Sequence, residues 1–143
     1  MTVVTGGRYN GKLEHVMQAY NVSRDQILDL QDHDPEEASS LMESYRVLYH
    51  LESYIRKSNE AGMDVSGQIM EYADRHPECI IICDEVGSGV VPMSAEEDSW
   101  RETVGRIMCS LTKQAGGITR VTCGIAEKIP HGVSLSKAQY AIL

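Results

Sequence analysis

The chain has 143 residues, 42% hydrophobic and 24% charged, a make-up that predicts one globular domain over 1–143 burying roughly two thirds of its unfolded surface without staples. No apolar run approaches the ~18 residues of a membrane span, and the opening MTVVTGG lacks the basic and then apolar regions of a signal peptide. A net charge of −8 disfavours nucleic acid as a partner, which needs clustered Lys and Arg, but leaves room for a nucleotide whose phosphates sit in one local pocket of backbone N–H groups.

Residues 2–5 (TVVT) form a β-branched run directly before glycines and predict a first strand. Beyond Gly11, Leu13, Val16, Met17 and Tyr20 recur at i, i+3, i+4 and i+7, one face of a helix over 11–20. Residues 26–30 (QILDL) predict a second strand. At Asp34-Pro35-Glu36-Glu37 a helix starts: Asp34 caps, Pro35 suits the first turn and Glu37 completes a capping box. Ala38, Leu41, Met42, Tyr45, Leu48, Tyr49, Glu52 and Ile55 keep helical spacing, so one long helix is expected to reach Asn59 and end at Gly62. Only Glu52 is out of character on that face. A further helix is expected from Asp64 to Arg75-His76, stopped before Pro77, with Val65, Ile69, Tyr72 and Ala73 as its apolar face.

Cys79-Ile80-Ile81-Ile82-Cys83 is apolar throughout, the pattern of a central parallel strand covered on both faces. Ser94 and Glu97 open another helix, which carries Trp100, Val104, Ile107, Met108 and Leu111 on one face and ends at Gly116-Gly117. Residues 118–123 (ITRVTC) read as a last strand, with Gly124 turning the chain away. The alternation predicts an α/β fold of three layers around a mostly parallel sheet. Ligands of such sheets bind outside the carboxyl ends of the strands, where loops 6–12 and 84–92 both fall. The four cysteines form no CxxC pair and predict reduced, buried thiols in a cytoplasmic protein rather than a zinc site.

Gly6-Gly7-Arg8-Tyr9-Asn10-Gly11-Lys12-Leu13 fits the phosphate-loop pattern G-x-x-x-x-G-K except at its last position. Glycines let the backbone curl its N–H groups toward phosphate oxygens, the helix N-terminus adds partial positive charge, and Lys12 adds a full one. Leu13 stands where a hydroxyl would ligate the nucleotide's Mg²⁺. The alternative is a glycine-rich turn with a solvent-facing lysine. Asp84-Glu85-Val86-Gly87-Ser88-Gly89-Val90-Val91-Pro92 ends the apolar strand in two carboxylates. There Glu85 and Asp84 can orient a metal-bound water or a substrate hydroxyl, against an ordinary acidic turn. Asp29, closing the second strand, is a candidate acidic metal partner of the phosphate loop. Tyr45, Tyr49, Tyr72 and Trp100 sit at helical spacing and read as core aromatics.

These segments resemble one family. Val3-Val4-Thr5-Gly6-Gly7 with Gly11-Lys12 is similar to its phosphate-loop opening, and Asp84 through Pro92 to its Asn-Glu-Val-Gly-x-Gly-Ile-Val-Pro signature. Trp100-Arg101-Glu102 with Gly105-Arg106 resembles its following helix, and Val121-Thr122-Cys123-Gly124-Ile125 with Lys128 its last strand and exit. The family is the bifunctional adenosylcobinamide kinase and adenosylcobinamide-phosphate guanylyltransferase of cobalamin biosynthesis. The resemblance implies a RecA-like sheet, Mg²⁺ with GTP or ATP, a corrinoid substrate and a homo-oligomer. It implies phosphorylation of the corrinoid's aminopropanol arm, then GMP transfer to that phosphate through a guanylylated histidine after the second strand.

The departures are specific. Tyr9, Asn10 and Leu13 stand where the family loop has Arg, Ser and Ser, and the chain is short in the middle, with no His- and Arg-rich segment between 21 and 78. His33 is the nearest candidate for the nucleotide-carrying histidine; His50, inside the expected long helix, reads as packing or solvated. Two functions follow: a kinase-type transferase with weakened phosphoryl transfer and little guanylyl transfer, or a family member that binds nucleotide or corrinoid without turnover.

Overall fold

The structure, a computed structural model, describes residues 1–86 and 94–130. The expectations for Gly87, Ser88, Gly89, Val90, Val91 and Pro92 lie outside the described residues, as does His131. The TVVT run becomes β1 (Thr2–Gly6), and the chain turns through the glycines into α1 (Lys12–Ala19). The QILDL segment contributes β2 (Ile27–Asp29). Asp34 caps α2 (Pro35–Leu41) by accepting the Glu37 N–H at 2.8 Å, with Pro35 in the first turn.

The expected long helix is not one helix. After α2 the chain makes a 3₁₀ turn at Met42–Ser44, extends as β3 (Val47–Tyr49), passes through a left-handed His50 and only then forms α3 (Leu51–Glu60). The physical reason is burial. As a strand, Val47 and Leu48 are both fully buried, on opposite faces of the sheet, and pair with Ile80 and Ile81. Burying such side chains is worth ~1.5–3 kcal/mol each, against helix propensities that differ by less than ~1 kcal/mol per residue. Apolar residues three and four apart satisfied a helical template that pairing across the sheet overrode.

Next come α4 (Ser66–Arg75), β4 (Ile80–Asp84), α5 (Ala95–Gln114) and β5 (Gly117–Thr122). Ser94 accepts the Glu97 N–H at 3.1 Å, as the capping pattern predicts. The ITRVTC strand is not the last. Cys123 (φ 50°) and Gly124 (φ 77°) form a two-residue turn, and β6 (Ile125–Lys128) returns antiparallel to β5. Two successive left-handed residues are what a tight hairpin requires.

Among the described residues the strands form a six-stranded sheet in the order β2-β3-β4-β1-β5-β6, parallel except for β6. β4 lies inside it, with Ile81 and Cys83 facing one layer and Ile80 and Ile82 the other. α1 packs over one face through Val16, against Val4, Val47, Ile82 and Val121. α3, α4 and α5 cover the other through Tyr54, Ile55, Ile69, Tyr72, Val104 and Leu111. This is the predicted three-layer α/β fold. No described helix is long and apolar enough to cross a membrane. The cysteine expectation holds for Cys79 and Cys83, which are buried, and fails for Cys109 and Cys123, which are exposed on α5 and in the hairpin turn.

Candidate functional site

Parallel pairing of β1 and β4 sets Gly6 opposite Asp84, so the glycine loop and the acidic strand end become neighbours. The Gly6 carbonyl accepts the Glu85 N–H at 2.9 Å. Only glycine fits at this position, because a Cβ would fall 2.3 Å from the Val121 carbonyl oxygen. Gly11 (φ 90°) leads into α1 with no side chain to cap the helix, which leaves first-turn N–H groups in need of a partner.

Lys12 does not face solvent. It is 4% exposed, and its Nζ donates to the Gly7 carbonyl at 2.7 Å and pairs with Asp84 Oδ1 at 2.7 Å. An ammonium group is thus held beneath the loop, at the carboxyl end of the sheet. The rest of the loop is more open: Tyr9 is exposed, with the Arg8 guanidinium 5.0 Å from its ring centroid. Leu13 packs against the apolar layer under α1. Glu85 is gripped in a fork by Arg120 of β5, Nε to Oε1 at 2.7 Å and Nη2 to Oε2 at 3.0 Å.

The same edge gathers residues that sequence reasoning set elsewhere. His50, directly after β3, stacks on Tyr49 and places Nδ1 2.7 Å from Asp29 Oδ1 at the end of β2. Glu52, 6% exposed in the first turn of α3, accepts the Asp84 N–H at 2.8 Å and the Ser53 N–H at 3.0 Å. The Trp100 indole donates to the Glu52 carbonyl at 2.9 Å, and the Arg56 guanidinium lies over its ring. A cavity of about 330 Å³ opens here, lined by Arg8, His50, Glu52, Arg56, Asp84 and Glu85. Hollows of about 600 and 640 Å³ elsewhere, between α3, α4 and α5 and beside Trp100, include none of the loop residues.

His33 is not on this cavity; its Nδ1 lies 3.0 Å from Glu37 Oε1 at the start of α2. The histidine that reaches the site is His50, carried there by β3. Its signal in the sequence was indirect: Glu52, an acidic residue on an otherwise apolar face, marked where the helical reading failed.

Burial sets the charges of this edge at odds, and pairing reverses two of them. Burial alone would raise the Asp29 carboxyl, but the His50 hydrogen bond and the Gln31 N–H hold it below its ordinary value. Burial alone would lower His50, but the Asp29 hydrogen bond and charge, with Glu52 and Asp84 nearby, raise it above its ordinary value. Glu52 is pushed up by burial and by the Asp84 charge, against the N–H groups that it accepts. A raised imidazole contributes stability in full below its unfolded value of 6.5 and loses it as pH rises through the folded value. A lowered carboxyl contributes above 3.8 and loses it as pH falls through the folded value. Asp29→Asn is therefore expected to cost most stability between these two limits and to move the His50 titration downward. Histidine ring resonances and denaturation across pH check both; His50 titrating at or below its ordinary value would contradict the pairing.

The sequence matches the family model of cobinamide kinase / cobinamide phosphate guanyltransferase over residues 23–129, more than half of the chain. The chain belongs to this family. No curated protein matches it. In this cobinamide kinase / cobinamide phosphate guanyltransferase family member, the matched stretch opens after α1, so the loop from Gly6 to Leu13 stands on its own geometry. Asp29, His50, Glu52, Asp84 and Glu85 lie inside the match, as do β2 to β6.

Among the described residues, the carboxylates expected to hold Mg²⁺ are already paired. Asp29 is committed to His50, Asp84 to Lys12 and Glu85 to Arg120. Among the described residues no group of three or more His, Cys, Asp or Glu could hold a metal ion. The described donors do not fit a resident cation.

Proposed function

We propose that the chain is a nucleoside-triphosphate-dependent transferase of the kinase type, phosphorylating the side-arm hydroxyl of cobinamide. The observation that carries the reading is the buried Lys12 ammonium, set under the glycine loop and beside a cavity lined by acidic and cationic side chains. Gly6, Gly7, Arg8, Tyr9, Asn10, Gly11, Lys12 and Leu13 form the nucleotide-binding turn. Its N–H groups and the N-terminus of α1 take the phosphates, while Lys12 exchanges its carbonyl partner for phosphate oxygen. ATP or GTP arrives as its Mg²⁺ complex, so the cation enters with the substrate.

The acceptor hydroxyl occupies the cavity. Its oxygen forms a bond to the γ-phosphorus as the bond from that phosphorus to the β-phosphate oxygen breaks, and Glu85, oriented by Arg120, takes the hydroxyl proton. Catalysis of this kind rests on positioning and charge neutralisation. Arg8 and His50 face the same cavity, and the Arg8 guanidinium suits the phosphate charge. His33, the nearest candidate for a nucleotide-carrying histidine, lies off the cavity, so guanylyl transfer is not part of this proposal.

Incubation with Mg·ATP or Mg·GTP and cobinamide, followed by mass spectrometry, is expected to yield phosphorylated cobinamide. Failure of the protein to bind either nucleotide at millimolar concentration would overturn the reading. One observation favours a second reading, a binding module without turnover: Leu13 is absorbed into the apolar layer rather than offering a hydroxyl at the loop. Leu13→Ser separates the two. A gain in phosphoryl transfer of roughly ten-fold or more, the size of one well-placed polar contact, identifies an enzyme weakened at that position. Unchanged turnover with intact binding identifies the module. The substitution also removes buried apolar surface, at ~1 kcal/mol or more, so it is compared at temperatures well below unfolding.

A further inference from the structure

The loop holds an asparagine whose side chain the proposed chemistry leaves unused. Asn10 stands where the family pattern has serine. Its Oδ1 accepts the Cys123 N–H at 3.0 Å and its backbone carbonyl accepts the Gly124 N–H at 2.9 Å. Its own N–H donates to the Gly7 carbonyl at 3.3 Å, the same oxygen that receives Lys12. Glycines on both sides make room for this arrangement. A Cβ on Gly7 would fall 2.4 Å from the Asn10 amide nitrogen, and one on Gly11 would lie 3.4 Å from the Gly124 Cα. The turn that offers the two N–H groups is the left-handed Cys123-Gly124 pair, far along the chain and outside the loop's own elements.

We infer that Asn10 is a positioning residue: it splints the phosphate loop onto the β5–β6 hairpin turn, so that the hairpin holds the loop in its phosphate-accepting shape. The inference rests on the nucleotide-binding reading above and extends it to a second element of the fold. A single side chain fastens the tip of the loop, and the adjoining carbonyl doubles the attachment. Both acceptors face N–H groups that a two-residue turn leaves pointing outward from its strands. Ordering the loop in the free protein reduces what nucleotide binding has to order. By linkage, a nucleotide that prefers the splinted loop also steadies the hairpin.

The test is hydrogen exchange of the full chain, with and without Mg·ATP, together with nucleotide affinity. In the wild type, nucleotide is expected to slow exchange at the Cys123 and Gly124 N–H groups, a response that an inert structural contact would not give. Asn10→Ala is expected to speed exchange there in the free protein and to weaken nucleotide binding about ten-fold, the size of a lost hydrogen bond plus the reopened loop. Asn10→Asp, which keeps an oxygen for the Cys123 N–H, is expected to keep free-protein exchange slow. Gly124→Val strains the turn from the other side, at φ 77°, and is expected to weaken binding in the same direction. Wild-type binding with unchanged affinity in Asn10→Ala overturns the splint while leaving the nucleotide site standing. Absence of nucleotide binding by the wild type overturns the site, and the splint with it.

Discussion

Lys12→Met is expected to lower phosphoryl transfer to cobinamide by about 100- to 1000-fold, the usual cost of removing one preorganised charge from a transferring group. Methionine keeps an apolar stem of similar length in a position that is only 4% exposed; the change also leaves Asp84 without its ammonium partner, so the rates are compared at temperatures well below unfolding. That ammonium stands 2.7 Å from both the Gly7 carbonyl and Asp84 Oδ1. Phosphate oxygen arriving in the loop would compete with these two partners for it. The loss is expected mainly in kcat, because charge accumulates on the phosphate oxygens as the transfer proceeds. Lys12→Arg is not expected to restore the rate: a planar guanidinium does not fit the slot of a compact ammonium. Steady-state kinetics on all three proteins checks this, and a Lys12→Met protein as fast as the wild type would remove Lys12 from the chemistry.

Asp84→Ala is expected to destabilise the fold by about 3–5 kcal/mol, the cost of leaving a buried charge without its partner. Lys12 and Asp84 are 4% and 12% exposed, so water screens the pair little. In a protein of this size the loss lowers the unfolding midpoint by roughly 10 °C or more. Substituting both residues, Lys12→Met with Asp84→Ala, is expected to cost less than the sum of the single changes, because no orphaned charge remains. Calorimetry of the four proteins measures the coupling. Additive losses would show that the ion pair is not what steadies this edge. Asp84→Ala also removes a charge that helps to push the Glu52 carboxyl upward, while the backbone N–H groups of residue 84 and Ser53 that Glu52 accepts remain.

The loop and the acidic strand end were legible because their signals are local. Glycines at Gly6 and Gly11 answer needs of the backbone itself, a close approach to β5 and a left-handed entry into α1. The apolar run of β4 announces a strand covered on both sides, and the Asp34 and Ser94 caps announce where helices begin. The segment from Met42 to Leu51 was not legible for an equally physical reason. Its apolar residues fall at intervals that a helix and a helix–strand–helix path both satisfy, and only the partners across the sheet decide between them. Read as one helix, the segment sets His50 among packing residues, separates Asp29 from its partner and makes Glu52 an anomaly; as a strand it brings His50 to Asp29 and Glu52 to the wall of the cavity.

By itself the amino-acid order determined an α/β chain with a curled glycine turn, a lysine behind it and a carboxylate pair at the end of a buried strand, since each is a property of neighbours along the backbone. The tertiary structure alone decided that the lysine is drawn inward to Asp84, that Arg120 holds Glu85, that His50 rather than His33 stands at the cavity, and that the hairpin turn grips Asn10. Those pairings depend on strand order and burial, which bring together side chains that no local spacing connects.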